Sequence, residues 1–212
     1  RCPVFIASNK EIGMTRESVE LDSLDTPEIS DRVSGSTDKP YLPFQLPTGA
    51  MVPPFLPIGG EQLVRQTSST HGPDGYITVD TDIISSTIKR LEQKLTTAVE
   101  DFTYFEYDED PRADTLLVVY CVTARAASTA DEQIRIDGGS ISLLVLKTLY
   151  PVPEKLIRKC ISAVKRVVVV EMNLGLYCRE IKRLAGAQEV ISHGQMDGEL
   201  ISPETVREVT RL

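Results

Sequence analysis

The sequence predicts a three-layer α/β/α sandwich built on a mostly parallel sheet and preceded by an extended proline-rich arm. Three observations carry that expectation. From Asp82 onward, short apolar runs alternate with segments of helical periodicity. The runs are apolar throughout rather than at every second residue, as in strands covered on both faces by helices. The first third of the chain follows neither period and is crowded with prolines, which punctuate rather than propagate regular structure.

In chain order, residues 3–8 (PVFIAS) are an apolar, strand-like run. Nothing precedes them to pair with, and the chain opens Arg1-Cys2-Pro3 without a methionine, so they read as a piece of something longer. From Asn9 to about Tyr76 no pattern lasts. KPYLPFQLPTGAMVPPFLPIGG (39–60) is long for a structureless segment, which is usually a functional loop or a linker. Its greasy groups, among them Tyr41, Phe44, Met51, Phe55 and Ile58, are too many to leave in water. The segment reads as an arm lying on another surface, either its own domain or a partner chain.

Ile84, Ile88, Leu91, Leu95 and Val99 recur at helical spacing and predict an amphipathic helix from about Asp82 to Val99. TLLVVYCVT (115–123) is a buried strand, and the helix after it, from about Ala124 to Asp137, is stopped by Asp137-Gly138-Gly139. SISLLVLKTLYP (140–151) is the next strand. Pro153 then opens the helix EKLIRKCISAV, where its missing N–H does no harm. VVVVEMN (167–173) is a third strand, leading into a helix from about Leu176 to Leu184. EVISHG (189–194) is a fourth, and Ser202 with Pro203 forms the N-cap and first turn of the last helix.

Composition excludes several functions. The net charge of −8 and pI near 4.9 repel phosphate backbones and anionic lipid heads, so neither nucleic acid nor membrane is an expected partner. No run approaches the roughly 18 apolar residues of a spanning helix, and the N-terminus lacks a signal-peptide build; a cytoplasmic location is expected. Cys2, Cys121, Cys160 and Cys178 are far apart and the histidines are only His71 and His193, which leaves no metal-ligating set and no expected metal. Cys121 and Cys160 read as buried thiols within apolar patterns. His71, in SSTHGPDGY, is expected to hydrogen-bond locally.

Open parallel sheets bind ligands at the carboxyl ends of their strands, and three turns fall there. At Thr123 and Arg125 a hydroxyl and a guanidinium stand near a helix N-terminus, which attracts anions; alternatively Thr123 caps the helix and Arg125 pairs with a local acid. Lys147 leads into Tyr-Pro and reads as a solvated strand end. The turn from Glu171 to Gly175 combines a Glu suited to acid–base work with Asn173 and Gly175, which tolerate left-handed geometry. No second carboxylate, His or nucleophile can be placed beside that Glu, so no catalytic residue is assigned. The glycine spacings of dinucleotide and P-loop sites and the G-x-S-x-G elbow are absent.

The ordered set VFIASNKEIGMTRESV, PYLPF, VPPFLPIGG, THGPDGY, LLVVYCVTARAA, LLVLKTLYPVPE, VVVVEMNLGLY and GQMDGELISPETV resembles the C-terminal half of the alpha subunit of 2-oxoacid:ferredoxin oxidoreductases, especially the 2-oxoglutarate type. The resemblance implies oxidative decarboxylation of a 2-oxoacid to an acyl-CoA. The complete enzyme uses thiamine diphosphate with Mg, CoA and iron–sulfur clusters, and ferredoxin accepts the electrons. It further implies that residues 1–76 hold the last strand of a pyrimidine-type thiamine diphosphate domain plus the arm. Residues 77–212 would then be a transketolase-C-terminal-like α/β domain that serves assembly rather than catalysis. The implied partners are the N-terminal pyrimidine-type domain, the beta subunit and, in larger assemblies, gamma and delta subunits; none of the cofactors is expected on this chain alone. Two positions depart from the family. Cys121-Val122 stand where Gly-Ser is common, and Leu176 stands where Gln follows Asn-x-Gly. Both remove polar or flexible groups from candidate turns.

Overall fold

A computed structural model of the protein describes residues 2–24, 26, 28–38, 40–67 and 69–211. Arg1 and Lys39, at the heads of the chain and of the proline-rich segment, lie outside the described residues. The chain divides into two compact units, one of Arg1–Phe5 with Glu17–Thr97 and one of Ile6–Arg16 with Ala98–Leu212.

The second unit is the α/β sandwich. Its strands are β1 (Phe105–Asp108), β2 (Thr115–Tyr120), β3 (Ser142–Leu146), β4 (Arg166–Glu171) and β5 (Glu189–Gly194). They lie in the order β1-β3-β2-β4-β5, parallel except for β1, which pairs antiparallel with β3 through Phe105 opposite Leu146. The edge strand β1 escapes a sequence reading. Four residues, FEYD, are too short for a period of two to register, and the carboxylates of Glu106 and Asp108 are the kind of charge that protects a sheet edge.

The helices are a short α1 (Lys10–Met14), then α3 (Thr123–Ile136), α4 (Glu154–Ser162), α5 (Leu176–Leu184) and α6 (Pro203–Arg211), with α2 belonging to the other unit. Helices α3 and α6 cover one face over Leu117, Val119, Val168 and Val170, and α4 and α5 the other over Leu116, Val118, Val167 and Val169. Burial on both faces is why these strands read as unbroken apolar runs. The stop after α3 follows expectation: Gly138 sits at φ 81°, and the Gly139 amide donates to the Ile134 carbonyl at 2.9 Å. The start of α6 does so too, with the Thr205 amide donating to Ser202 Oγ at 3.1 Å. Because β3 lies on one side of β2 and β4 on the other, the chain reverses its winding between β2 and β4, and in such sheets the crevice at the carboxyl ends of that pair is the natural ligand position.

The first unit is built largely of turns. The Phe55 amide donates to the Val33 carbonyl at 2.8 Å and the Gly35 amide to the Phe55 carbonyl at 2.9 Å. Tyr41 Oη donates to the Pro54 carbonyl at 2.8 Å and accepts from the Leu56 amide at 3.2 Å. The proline-rich segment thus folds back on Tyr41 and buries Leu56, while Met51, Val52 and Ile58 stay exposed. Helix α2 (Thr81–Thr96) starts at Asp80, whose carboxylate accepts from the amides of Asp82 and Ile83. It ends three residues before Val99, where a 3-10 turn takes over from Val99 to Phe102. None of its residues is buried.

Three expectations are corrected here. Residues 3–8 form no strand among the described residues, and Val4, Phe5 and Ile6 are exposed; a strand needs a neighbouring edge for its amides and carbonyls. His71 does not bond locally through its ring. Both ring nitrogens are buried without a hydrogen bond to a described residue, the ring packs edge-on to Phe44, and it is the backbone that bridges to Ile77. Cys160 is buried as expected, whereas Cys121 is exposed, because β2 ends at Tyr120 and the turn carries the next residue out of the sheet.

Candidate functional site at the carboxyl edge of the sheet

The corner after β4 is closed by its own hydrogen bonds. Glu171 is 1% exposed, and its carboxylate reaches forward to the start of α5. Oε2 accepts from the Tyr177 amide at 3.0 Å and from Tyr120 Oη at 2.7 Å, and Oε1 accepts from the Cys178 amide at 3.0 Å. These amides belong to the first turn of α5, whose donors have no partner within the helix, and a carboxylate there also meets the positive end of the helix dipole. Asn173 completes the closure: Oδ1 accepts from the Leu176 amide at 2.8 Å and Nδ2 donates to Tyr120 Oη at 2.6 Å. Gly175 holds the cap position at φ 78° and ψ 35°, a region open to glycine at no steric cost. Burial, then the bond to Glu171, raises the Tyr120 phenol well above its usual range. Burial raises that of Tyr177 too.

That geometry answers the acid–base reading of Glu171. Both carboxylate oxygens are occupied by groups of this chain and the side chain is out of solvent, so it serves as a helix cap. Nothing in the sequence marks Tyr120 and Tyr177, whose rings meet edge-to-face at 5.7 Å. Tyr120 looks like any strand residue, and its role appears only when β2 lies beside β4.

The corner after β2 is built differently. Cys121 has φ 54°, the one positive φ at a non-glycine position among the described residues. Val122, not Thr123, holds the cap position of α3, and its own apolar side chain makes no cap bond. The Val122 amide instead donates to Asn9 Oδ1 at 3.2 Å. Thr123 is the first helical residue, 4% exposed. Thr123 and Arg125 line a cavity of about 280 Å³ together with Met172 from the end of β4 and Glu11 from α1. The fold therefore gathers Thr123 and Arg125 at one site, while Asn173 and Gly175 belong to the closed corner beside it.

At the third turn Lys147 pairs with Glu106 of β1. This edge also presents apolar side chains to solvent: Tyr104, Tyr150, Leu174, Leu176, Met196 and Leu200 are all 47% or more exposed. With the polar groups of the β4 corner turned inward, Leu174 and Leu176 are what that corner shows.

Residues 113–206, most of the sandwich, match the family model described as pyruvate:ferredoxin oxidoreductase core domain II. Across 209 residues, 96% of this chain, the sequence is 32% identical to the 2-oxoglutarate synthase subunit KorA of Methanocaldococcus jannaschii. The chain is thus similar to a 2-oxoglutarate synthase subunit over nearly its whole length, and its sandwich to a domain of pyruvate:ferredoxin oxidoreductases. It spans 54% of that KorA subunit, about half the length of the curated relatives it matches along its whole length. A ketoisovalerate oxidoreductase subunit, VorB of Methanothermobacter thermautotrophicus, is 33% identical over 51% of this chain and 30% of its own. Among solved structures, a 2-oxoglutarate:ferredoxin oxidoreductase from Magnetococcus marinus with 2-oxoglutarate, coenzyme A and succinyl-CoA bound superposes with a TM-score of 0.77 at 18% identity, covering 85% of this chain and 32% of that one. That likeness concerns the fold.

Among the described residues the donors do not fit the metal groups that the resemblance implies for the complete enzyme. Among the described residues no three His, Cys, Asp or Glu side chains gather where a metal could be held. Cys160 and Cys178 are buried in the apolar layer under α4 and α5, and Cys2 and Cys121 are single exposed thiols. A cluster needs several thiolates on one side of a cavity. Magnesium with a diphosphate needs carboxylates open to the ligand; Glu171 is closed off, and Glu11 is the single acid lining the neighbouring cavity.

Proposed function

We propose that this chain is the C-terminal part of the alpha subunit of a thiamine diphosphate-dependent 2-oxoacid:ferredoxin oxidoreductase, probed best with 2-oxoglutarate, and that it contributes assembly rather than catalysis. The observation that carries this reading is the match of 96% of the chain to about half of a 2-oxoglutarate synthase subunit. In this reading residues 1–76 complete a pyrimidine-type domain and its arm, and residues 77–212 form the transketolase-C-terminal-like domain. Thiamine diphosphate, Mg, CoA and the iron–sulfur clusters are held elsewhere in the complete cytoplasmic enzyme, whose beta and further subunits pass electrons to ferredoxin. The site geometry supports a packing role: the one buried acid of the β4 corner is a cap, and the sheet edge presents tyrosine, leucine and methionine side chains suited to a protein neighbour. Among the described residues no helix is long and apolar enough to cross a membrane.

Two measurements test it. The 212-residue chain with 2-oxoglutarate, thiamine diphosphate, CoA and an electron acceptor is expected to show no turnover, and measurable turnover overturns the reading. The coding sequence upstream of Arg1 is expected to continue in frame into a Tyr-Pro-Ile-Thr-Pro-like motif, which the resemblance places in the pyrimidine-type domain. A start codon immediately before Arg1, with no such motif upstream in frame, sinks it.

A further inference from the structure

The cavity between the start of α3 and the end of β4 lies at the point where the sheet reverses its winding. Position alone makes it a candidate, and two further observations point to a ligand. Thr123 lines the cavity while only 4% exposed, and neither its hydroxyl nor its amide makes a hydrogen bond to a described residue. It is also the first residue of a 14-residue helix without a side-chain cap, so two donors and the positive end of the dipole remain for an acceptor from outside the chain.

We propose that this cavity binds a small aliphatic monocarboxylic acid, its carboxylate on Thr123 and the start of α3 and its hydrocarbon body against Ile12, Ala126, Met172 and Ile201. The volume sets the size: about 280 Å³ is just below the usual range for drug-sized ligands. The backbone sets the head group. With Cys121 and Val122 before the helix there is no glycine for the close approach a phosphate needs. The walls set the charge: Glu11 is among the residues lining the same cavity, and its negative charge disfavours a dianion more than a monoanion. Arg125 lines it too but has an interaction of its own, and the site does not depend on it. The proposal stands independently of the assembly role argued above.

Isovalerate is the probe, titrated by calorimetry or ligand-observed NMR into the 212-residue chain. Saturable binding with a Kd on the order of 1 mM is expected for so small a ligand. The neutral analogue 3-methylbutan-1-ol is expected to bind about tenfold more weakly, as is isovalerate to Thr123→Val, which keeps the shape and removes the hydroxyl. Ala126→Leu fills the cavity and is expected to abolish binding, with thermal unfolding reporting whether that variant is folded. The proposal is overturned by an absence of saturable binding, by binding of the alcohol as tight as that of the acid, or by an unchanged affinity in Thr123→Val. The last comparison stands even if the leucine variant does not fold. None of these readouts involves turnover, so they separate from the tests of the assembly role.

Discussion

The corners that follow β4 and β2 are neighbours at the same edge of one sheet, and they solve the same problem in opposite ways. Each must turn the chain from a strand into a helix and satisfy the helix's first amides. After β4 the sequence brings its own acceptors, Glu171 and Asn173, and a glycine for the left-handed position. After β2 the corner has no such side chain and no glycine: a cysteine takes the left-handed position, Asn9 and the Cys121 and Val122 carbonyls accept from the amides of Val122, Ala124 and Arg125, and a buried threonine facing a cavity keeps its own donors. A corner that satisfies itself has no hydrogen bonds left for a ligand. The corner that does not is the one with room for chemistry from outside.

The largest test of that contrast is Glu171→Ala. It leaves two buried amides and the Tyr120 hydroxyl without their acceptor and is expected to cost about 3 kcal/mol, read as a lowered urea midpoint at unchanged slope. Glu171→Gln keeps the volume and loses the charge, and about half that cost is expected. If Ala and Gln behave alike and cost nothing, the cap account is wrong. Next is Gly175→Ala, which places a Cβ at φ 78° and 3.3 Å from Ser192 Oγ; about 1–2 kcal/mol is expected. At the other corner the signs differ. Cys121→Gly relieves left-handed strain while adding freedom to the unfolded chain, so its stability is expected to stay within about 0.5 kcal/mol, whereas the β-branched Cys121→Val is expected to lose about 1 kcal/mol. Thr123→Val breaks no bond within the chain and is expected to change stability by less than about 0.5 kcal/mol. A loss as large as that of Gly175→Ala would place an unseen partner on the hydroxyl.

The smallest effect lies away from both corners and calibrates them. Asp110 is held down to about 2 from an ordinary 3.8, first by the Arg112 side chain and then by the Arg112 amide. A carboxyl lowered in the folded state contributes stability above its unfolded pKa and loses it as pH falls from near 4 to near 2. Although the Asp110 side chain is only 6% exposed, Arg112 is 73% exposed, and solvent screens the pair. Acid unfolding of Asp110→Asn is expected to lose that part of the pH dependence and no more.

How far these features were legible depended on whether they are local. The alternation of elements, the stop at Gly138-Gly139 and the Ser202-Pro203 start rest on neighbours in sequence and could be read directly. Strand β1 could not, being four residues long with half of them charged. The ends of β2 and β3 were placed too late, since apolar residues such as Cys121, Val122 and Leu149 extend the pattern past the last ladder bond. At the candidate sites the strand-end positions of Thr123, Arg125, Asn173 and Gly175 are legible, but nothing in the sequence tells which pair faces a cavity and which is used up by its own corner.

Residue order alone was enough for the class of fold, the family it resembles and the set of strand-end turns, because periodicity, caps and glycine positions act over a few residues. The neighbours of β2 and β4, the Tyr120–Glu171 bond across 51 positions and the cavity at Thr123 were decided by tertiary structure. A hydrogen bond between distant residues is set by which strands lie side by side, and strand order is a property of the whole sheet.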